Sequence, residues 1–300
     1  MYEAAVRRPL PVIPVTLGGF YMTQETDRSE AEGRLRRPGP SPILGRATEG
    51  PAAMDYKHLI ATTYDANYAG LRDGSGDREH YAALAAERGG PVLELGCGTG
   101  RVLLPIAQRG LPCVGVDPSP EMLEVLRAKE PPANLEVVLG RMETLDLERR
   151  DFALAIAAFR AFQHLMSVDD QREALTRLRA HLREDGWLAL DVFEPDLARM
   201  ARDDPETPGE PFEALGRRIR RNFWVRRDQL SQTMEITFRY VDDASDEELG
   251  IETLGLRWIY RFELEHLLWR AGFEPFRWSS AYDGRPYDRS GDIVVVARRR

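Results

Sequence analysis

One ten-residue stretch constrains the fold more than any other part of the chain. Val92-Leu93-Glu94-Leu95-Gly96-Cys97-Gly98-Thr99-Gly100-Arg101 runs a short apolar strand straight into a turn with three glycines, and the helical run VLLPIAQRG follows. Glycine tolerates positive φ and lets a ligand lie against the backbone, so the turn reads as a cradle at the end of a sheet strand. The bland alternative is an ordinary strand-to-helix turn.

Around this turn, apolar runs alternate with helical ones. PVLEL, CVGVD, LEVVLG, FALAIAAF and WLALDVF read as buried strands, while residues 55–72, 77–88, PEMLEVLRAKE and DQREALTRLRAHLRE read as helices. Ser119 is expected to cap the PEMLEVLRAKE helix, with Pro120 at its first position. Such alternation implies right-handed βαβ units and a parallel sheet covered on both faces. After Asp191 the rhythm changes. Residues 195–215, rich in Pro, Asp and Glu, read as a loop. RRIRRNFWVRR, QLSQTMEITFRYVDD and ETLGLRWIYRF read as antiparallel strands, followed by the helix ELEHLLWRAG and the strands FEPFRWSSAY and DIVVVARR. The expected fold is α/β: a Rossmann-like, seven-stranded, mostly parallel sheet with its last strand antiparallel, helices on both faces, and a β-rich lid insertion. The expected division is a core at residues 54–194, a lid at 195–260, and a closing helix and strands at 261–300. Residues 1–53 carry Pro9, Pro11, Pro14, Pro38, Pro40, Pro42 and Pro51 and are expected to be a disordered leader or an over-long gene start, the alternative being an arm folded onto the body.

Composition narrows the function classes. Three hundred residues allow one large or two small domains. Forty-one basic against forty-nine acidic residues leave a net charge of −8, which disfavours nucleic-acid binding driven by global charge. Cys97 and Cys113 are the only cysteines, so a disulfide framework is excluded and reduced thiols in a cytoplasmic protein are the expectation. No apolar run is long enough to span a bilayer as a helix. With five scattered histidines, no structural metal site is expected. The expected partner is a small molecule, with no nucleic acid and no membrane, for a monomer or homodimer.

Two ligand classes compete for the glycine turn. Dinucleotide folds use G-x-G-x-x-G, whereas here the glycines fall at 96, 98 and 100. Glu94 would repel a pyrophosphate and suits a ligand with a positive charge and an amino-acid end. ELGCGTG followed by VGVD resembles the class I S-adenosylmethionine-dependent methyltransferase family, over roughly residues 56–300 in element order. The resemblance implies that Gly96, Cys97, Gly98 and Gly100, with Glu94, pack on the methionine part of S-adenosylmethionine. It implies that Asp117, twenty-one residues after Gly96, holds both ribose hydroxyls and that Met122 covers the adenine. Where the family often has an aspartate that bonds the adenine amino group, this chain has Arg141, with Met142 next to it. Their backbone groups and a stacked Met142 side chain are the substitute, and a solvated surface arginine is the alternative. Tyr64 and Phe159 complete the expected cofactor contacts.

The acceptor end lies in AAFRAFQHLM, after the fourth strand. It lacks the [D/N]PP[F/Y] signature of amino-group DNA methyltransferases and the Pro-Cys of cytosine enzymes, so base flipping has no support. It resembles small-molecule N-methyltransferases, which implies an amine or hydroxyl acceptor. His164 is the candidate base because imidazole titrates near neutrality; a packing role is the alternative. Tyr68, Arg160, Phe162, Trp258 and Tyr260 are acceptor-side candidates. Arg217, Arg218, Arg220, Arg221, Arg226 and Arg227 read either as a solvated strand face or as a lid for an anionic acceptor. Two rivals remain: an NAD(P)-dependent oxidoreductase and a non-catalytic cofactor-binding module. The first lacks a Tyr-x-x-x-Lys pair, since Tyr64, Tyr68 and Tyr81 are followed four residues on by Tyr68, Arg72 and Ala85.

Overall fold

A computed structural model describes residues 56–72 and 75–300. The expectation for residues 1–53 lies outside the described residues. Helices α1 (Tyr56–Arg72) and α2 (Asp77–Arg88) precede β1 (Val92–Leu95), and then come α3 (Leu103–Gln108), β2 (Cys113–Asp117), α4 (Pro120–Ala128) and β3 (Leu135–Leu139). The second half of the sheet supplies β4 (Phe152–Ala157), α5 (Val168–His181) and β5 (Leu182–Val192). Ser119 caps α4 as expected, its side chain accepting from Met122 N.

The main sheet has seven strands. β1 pairs in parallel with β2 on one side and β4 on the other, β2 pairs with β3, and β4 with β5. Two C-terminal strands, β11 (Phe273–Ser279) and β12 (Ile293–Arg299), close the far edge, with β12 antiparallel to both β5 and β11. Alternate residues of each strand feed two cores. Leu93, Leu95, Ala155, Leu188 and Leu190 face one side, with Leu175 and Leu178 of α5. On the other side Val92, Leu154, Ile156 and Ala189 meet Leu84 of α2, Leu103 of α3 and Leu123 of α4. Period-two burial on both faces explains why these strands read as continuous apolar runs.

Residues 195–215 are not the expected plain loop. They form a short helix α6 (Leu197–Met200) and two edge strands, β6 (Asp204–Thr207) and β7 (Pro211–Ala214), both paired to β8 (Arg217–Asp228). Asp196 caps α6, accepting from Arg199 N at 2.7 Å. Pro205 and Pro211 are tolerated because both strands are peripheral. β8 pairs with β9 (Thr233–Asp242), and β9 with β10 (Glu248–Arg257), so the insertion is a five-stranded antiparallel sheet of its own. Its three long strands, of ten to twelve residues, make it larger than a flap. β10 ends at Arg257, earlier than expected, and Tyr260 caps α7 (Arg261–Arg270). Leu59 and Ile60 of α1 pack with Ile219, Phe223 and Phe238 of this sheet. Helix α1 thereby ties the insertion to the core.

Candidate active site

Chain order reverses between β1 and β4, and at such a switch point the carboxyl ends of parallel strands leave a crevice. A cavity of about 580 Å³ lies there, within the range of small-molecule sites. The core supplies its floor and the inner face of the antiparallel sheet its roof.

Glu94 enters this cavity from β1. It is buried, and its Oε2 has no hydrogen-bond partner in the described structure. Burial pushes its pKa up to about 8, against the pull of the Arg101 guanidinium. Asp117, at the end of β2, accepts from Gly98 N at 2.8 Å through Oδ2 and from Ser119 N at 2.9 Å through Oδ1. Burial raises its pKa while those two backbone bonds oppose the rise. A Cβ added at Gly98, which has φ of 52°, would meet nothing within 4 Å, so the turn leaves open room beside the backbone. Gly96, Cys97, Met122 and Met142 also line the cavity. Cys97 is a structural thiol: burial pushes its pKa well up, leaving no thiolate. The Arg141 side chain pairs with Glu143 and is largely exposed, and Arg141 lines the rim of the cavity.

Tyr64 and Tyr68 reach in from α1, their ring centroids 4.6 Å apart, and Tyr68 meets Phe159 edge-on at 5.1 Å. Phe159 and Arg160 follow β4 with φ of 54° and 64°, a region that costs non-glycine residues energy. His164 ends the short 3₁₀ turn Ala161–His164. It lines the cavity and is solvent-exposed. Burial lowers its pKa, and a hydrogen bond with the Gly255 backbone partly offsets this.

Four expected site residues lie elsewhere. Gly100 serves packing: its φ is 82°, and a Cβ there would sit 2.3 Å from Leu126 Cδ1 of α4. Phe162 is wholly buried in the core, because the 3₁₀ turn points it away from the cavity. Trp258 belongs to the core of the antiparallel sheet, and Tyr260 packs against that core while capping α7.

The arginine run divides. Arg217 and Arg218 are exposed, Arg220 pairs with Asp243 and Asp246, and Arg227 pairs with Asp204. Arg221 alone of the six lines the cavity. Its guanidinium lies 4.9 Å from the Tyr68 ring centroid and 4.3 Å from that of Phe238, and it donates to Tyr68 Oη at 3.1 Å. Tyr240 and Glu252 share this polar corner, and Phe223, Ile236 and Leu254 make the rest of the roof apolar. The sequence reading missed Tyr240, Glu252 and Arg101. Arg101 lines the cavity while paired to Asp77 at 2.7 Å.

Residues 92–186 match the family profile described as a methyltransferase domain. Those residues carry a methyltransferase domain, and the fold and glycine turn are similar to those of class I S-adenosylmethionine-dependent methyltransferases. A curated relative, the dTDP-3-amino-3,6-dideoxy-α-D-glucopyranose N,N-dimethyltransferase of Streptomyces fradiae, is 32% identical over 151 residues. That match covers 49% of this chain and 58% of the relative, so the chain spans little more than half the length of that protein. Among solved structures, the CcbJ methyltransferase of Streptomyces caelestis is 27% identical with a TM-score of 0.65, covering 76% of this chain and 96% of that one. CalS10, an amino pentose methyltransferase from Micromonospora echinaspora solved with S-adenosylmethionine bound, is 25% identical with a TM-score of 0.59, over 79% and 97% of the two chains. No helix among the described residues is long and apolar enough to cross a membrane.

The cavity fits S-adenosylmethionine on chemical grounds. Glu94 offers an unpartnered carboxylate oxygen to a cationic group. Asp117 offers a carboxylate at the end of the neighbouring strand, and Gly98 leaves the turn open between them.

Proposed function

We propose that the protein transfers a methyl group from S-adenosylmethionine to an amine of a small-molecule acceptor. The observation that carries this reading is the pairing of Glu94, buried with a free oxygen, and Asp117 in one cavity at the glycine turn. An ammonium would favour the ionised form of Glu94, and a pair of ribose hydroxyls would find acceptors in Asp117.

In this reading Glu94 receives the amino-acid end of the cofactor and Asp117 the ribose hydroxyls. Met122 and Met142 bound the adenine, with Tyr64 closing from α1. When bound, the cofactor supplies an electrophilic methyl on a sulfonium. The protein contributes alignment and exclusion of water, which are what an in-line displacement needs. The acceptor sits under the antiparallel sheet, against Tyr68, Phe159, Phe223 and Phe238, with Arg221 and Glu252 for its polar groups. An amine attacks through its lone pair: the N–CH₃ bond forms as the S–CH₃ bond breaks, and the nitrogen then carries one proton too many. His164, held neutral at pH 7 by its lowered pKa, takes that proton. The amino-sugar and amino-pentose methyltransferases among the similar proteins support an amine over a hydroxyl.

The test compares thermal stabilisation by S-adenosylhomocysteine and by NADH, followed by mass spectrometry of an amine library incubated with methyl-labelled cofactor. Stabilisation by S-adenosylhomocysteine and a mass gain of one methyl are expected. Stabilisation by NADH alone would overturn the reading.

A further inference from the structure

We propose that Asp191 is a positioning residue for methyl transfer, setting the backbone that presents Phe159 to the reacting groups. The inference rests on the methyl-transfer reading but adds a residue that touches neither cofactor nor acceptor. Asp191 lies near the end of β5 inside the otherwise apolar run Leu188-Ala189-Leu190-Asp191-Val192-Phe193, and it has no exposure to solvent. A buried carboxylate is costly unless hydrogen bonds compensate it. Three do so. Phe159 N donates to Oδ1 at 2.8 Å, Arg160 N to Oδ2 at 2.9 Å, and Tyr81 Oη to Oδ1 at 2.6 Å. Burial and the neighbouring Asp191 charge both raise the Tyr81 pKa, which keeps its hydroxyl protonated as a donor.

The two amides come from consecutive residues, both in the left-handed region. Successive N–H groups aimed at one anion form a concave nest, and here the anion belongs to the protein itself. The carboxylate stabilises a backbone conformation that neither residue adopts willingly. What it holds is a wall of the cavity. The Phe159 ring meets Tyr68 edge-on at 5.1 Å and lies 5.3 Å from the Arg101 guanidinium. Arg160 is tied down independently, its Nη2 donating to Asp292 at 2.8 Å. Asp191 therefore controls where the Phe159 ring stands between α1 and the glycine-turn helix, and in-line transfer is sensitive to displacements of an ångström.

The test uses the full chain carrying 4-fluorophenylalanine, with the Phe159 fluorine resonance assigned by its loss in Phe159→Leu. Asp191→Asn replaces one acceptor by a donor that faces the paired amides. Tyr81→Phe removes a single bond and keeps the ring, so it serves as the milder variant should the first fold poorly. Expected are a displaced Phe159 resonance in both variants and kcat lowered about 10²-fold in Asp191→Asn and several-fold in Tyr81→Phe. The KM for S-adenosylmethionine should stay within about threefold, since the glycine turn is untouched. The double variant Asp191→Asn/Phe159→Ala should be no slower than Phe159→Ala alone, because both lose the same placement. An unmoved Phe159 resonance in Asp191→Asn, or additive losses in the double variant, would overturn the proposal. The resonance needs no acceptor, so its displacement in a protein that methylates no amine would count against the methyl-transfer reading and leave the placement of Phe159 by Asp191 standing.

Discussion

The amide of Gly98 donates a 2.8 Å hydrogen bond to Asp117 Oδ2, joining the glycine turn after β1 to the acidic end of β2. The bond couples two parts of the cavity wall that come from different strands. In the proposed reading Asp117 then has two duties, shaping the turn and accepting hydrogen bonds from the ribose hydroxyls.

Replacing Asp117 by alanine removes both. The expected loss in affinity for S-adenosylhomocysteine is about 2–3 kcal/mol, the scale of charge-assisted hydrogen bonds withdrawn from a dry site. Titration calorimetry measures it directly. Unchanged affinity would show that the ribose lies elsewhere.

Glu94 gives a prediction with a defined pH sense. Its folded pKa of about 8 lies above the unfolded value of about 4.3, so the folded protein binds the extra proton. Its contribution to stability is fully present below the unfolded value and is lost as pH rises through about 8. The ligand-free protein should therefore lose Tm between about pH 4.3 and about 8 more steeply than Glu94→Gln, and no further above that. Binding of the cofactor's ammonium should reverse the preference and expel the proton. Calorimetry at pH 7 in two buffers of different ionisation enthalpy should then report release of close to one proton with S-adenosylhomocysteine, and none in Glu94→Gln. Equal heats in both buffers for the unmodified protein would contradict this.

The sequence exposed most of the architecture because the central strands are buried on both faces, and continuous apolar runs such as Phe152–Ala157 have few other readings. β6 and β7 were hidden because short peripheral strands with Pro205 and Pro211 look like loop. At the site, Gly96, Gly98 and Asp117 were singled out through the resemblance that ELGCGTG and VGVD carry, and all three line the cavity. Arg221 was not singled out among six arginines, although a signal existed: Ile219, Phe223 and Val225 occupy the alternating positions of β8, so period two puts Arg221 on the apolar, inward row. Period two likewise puts Tyr240 in the row of Met234, Ile236 and Phe238, and Glu252 in that of Leu254 and Leu256; what the sequence does not show is the pairing of β8, β9 and β10 that brings them to Arg221.

Gly100 separates packing from ligand contact. A methyl group there would press on Leu126 Cδ1 at 2.3 Å in a backbone conformation with φ of 82°. Overpacking and backbone strain together should cost about 2–4 kcal/mol. Gly100→Ala is expected to lower Tm by roughly 4–16 °C on the scale of domains this size. Affinity of the folded fraction for S-adenosylhomocysteine should hold, and Leu126→Ala should relieve the steric part of the Tm loss. A variant with normal Tm and lost affinity would return Gly100 to the cofactor site.

His164 decides how the proton leaves. If its imidazole is the base, His164→Ala should lower kcat by ~10²-fold, the lower end for a positioned general base, and leave cofactor affinity nearly intact. Burial lowers its pKa, so the acid limb of the pH–rate profile should fall below the ordinary imidazole value of about 6.5. In the variant that limb should vanish while any alkaline limb survives. The competing route has the amine lose its proton to water before it binds, with orientation alone carrying the reaction. The acid limb would then follow the acceptor's own pKa and persist unchanged in His164→Ala. Profiles of the two proteins with one acceptor separate these outcomes. A second acceptor of different pKa confirms the assignment, because a limb set by His164 stays in place when the acceptor changes.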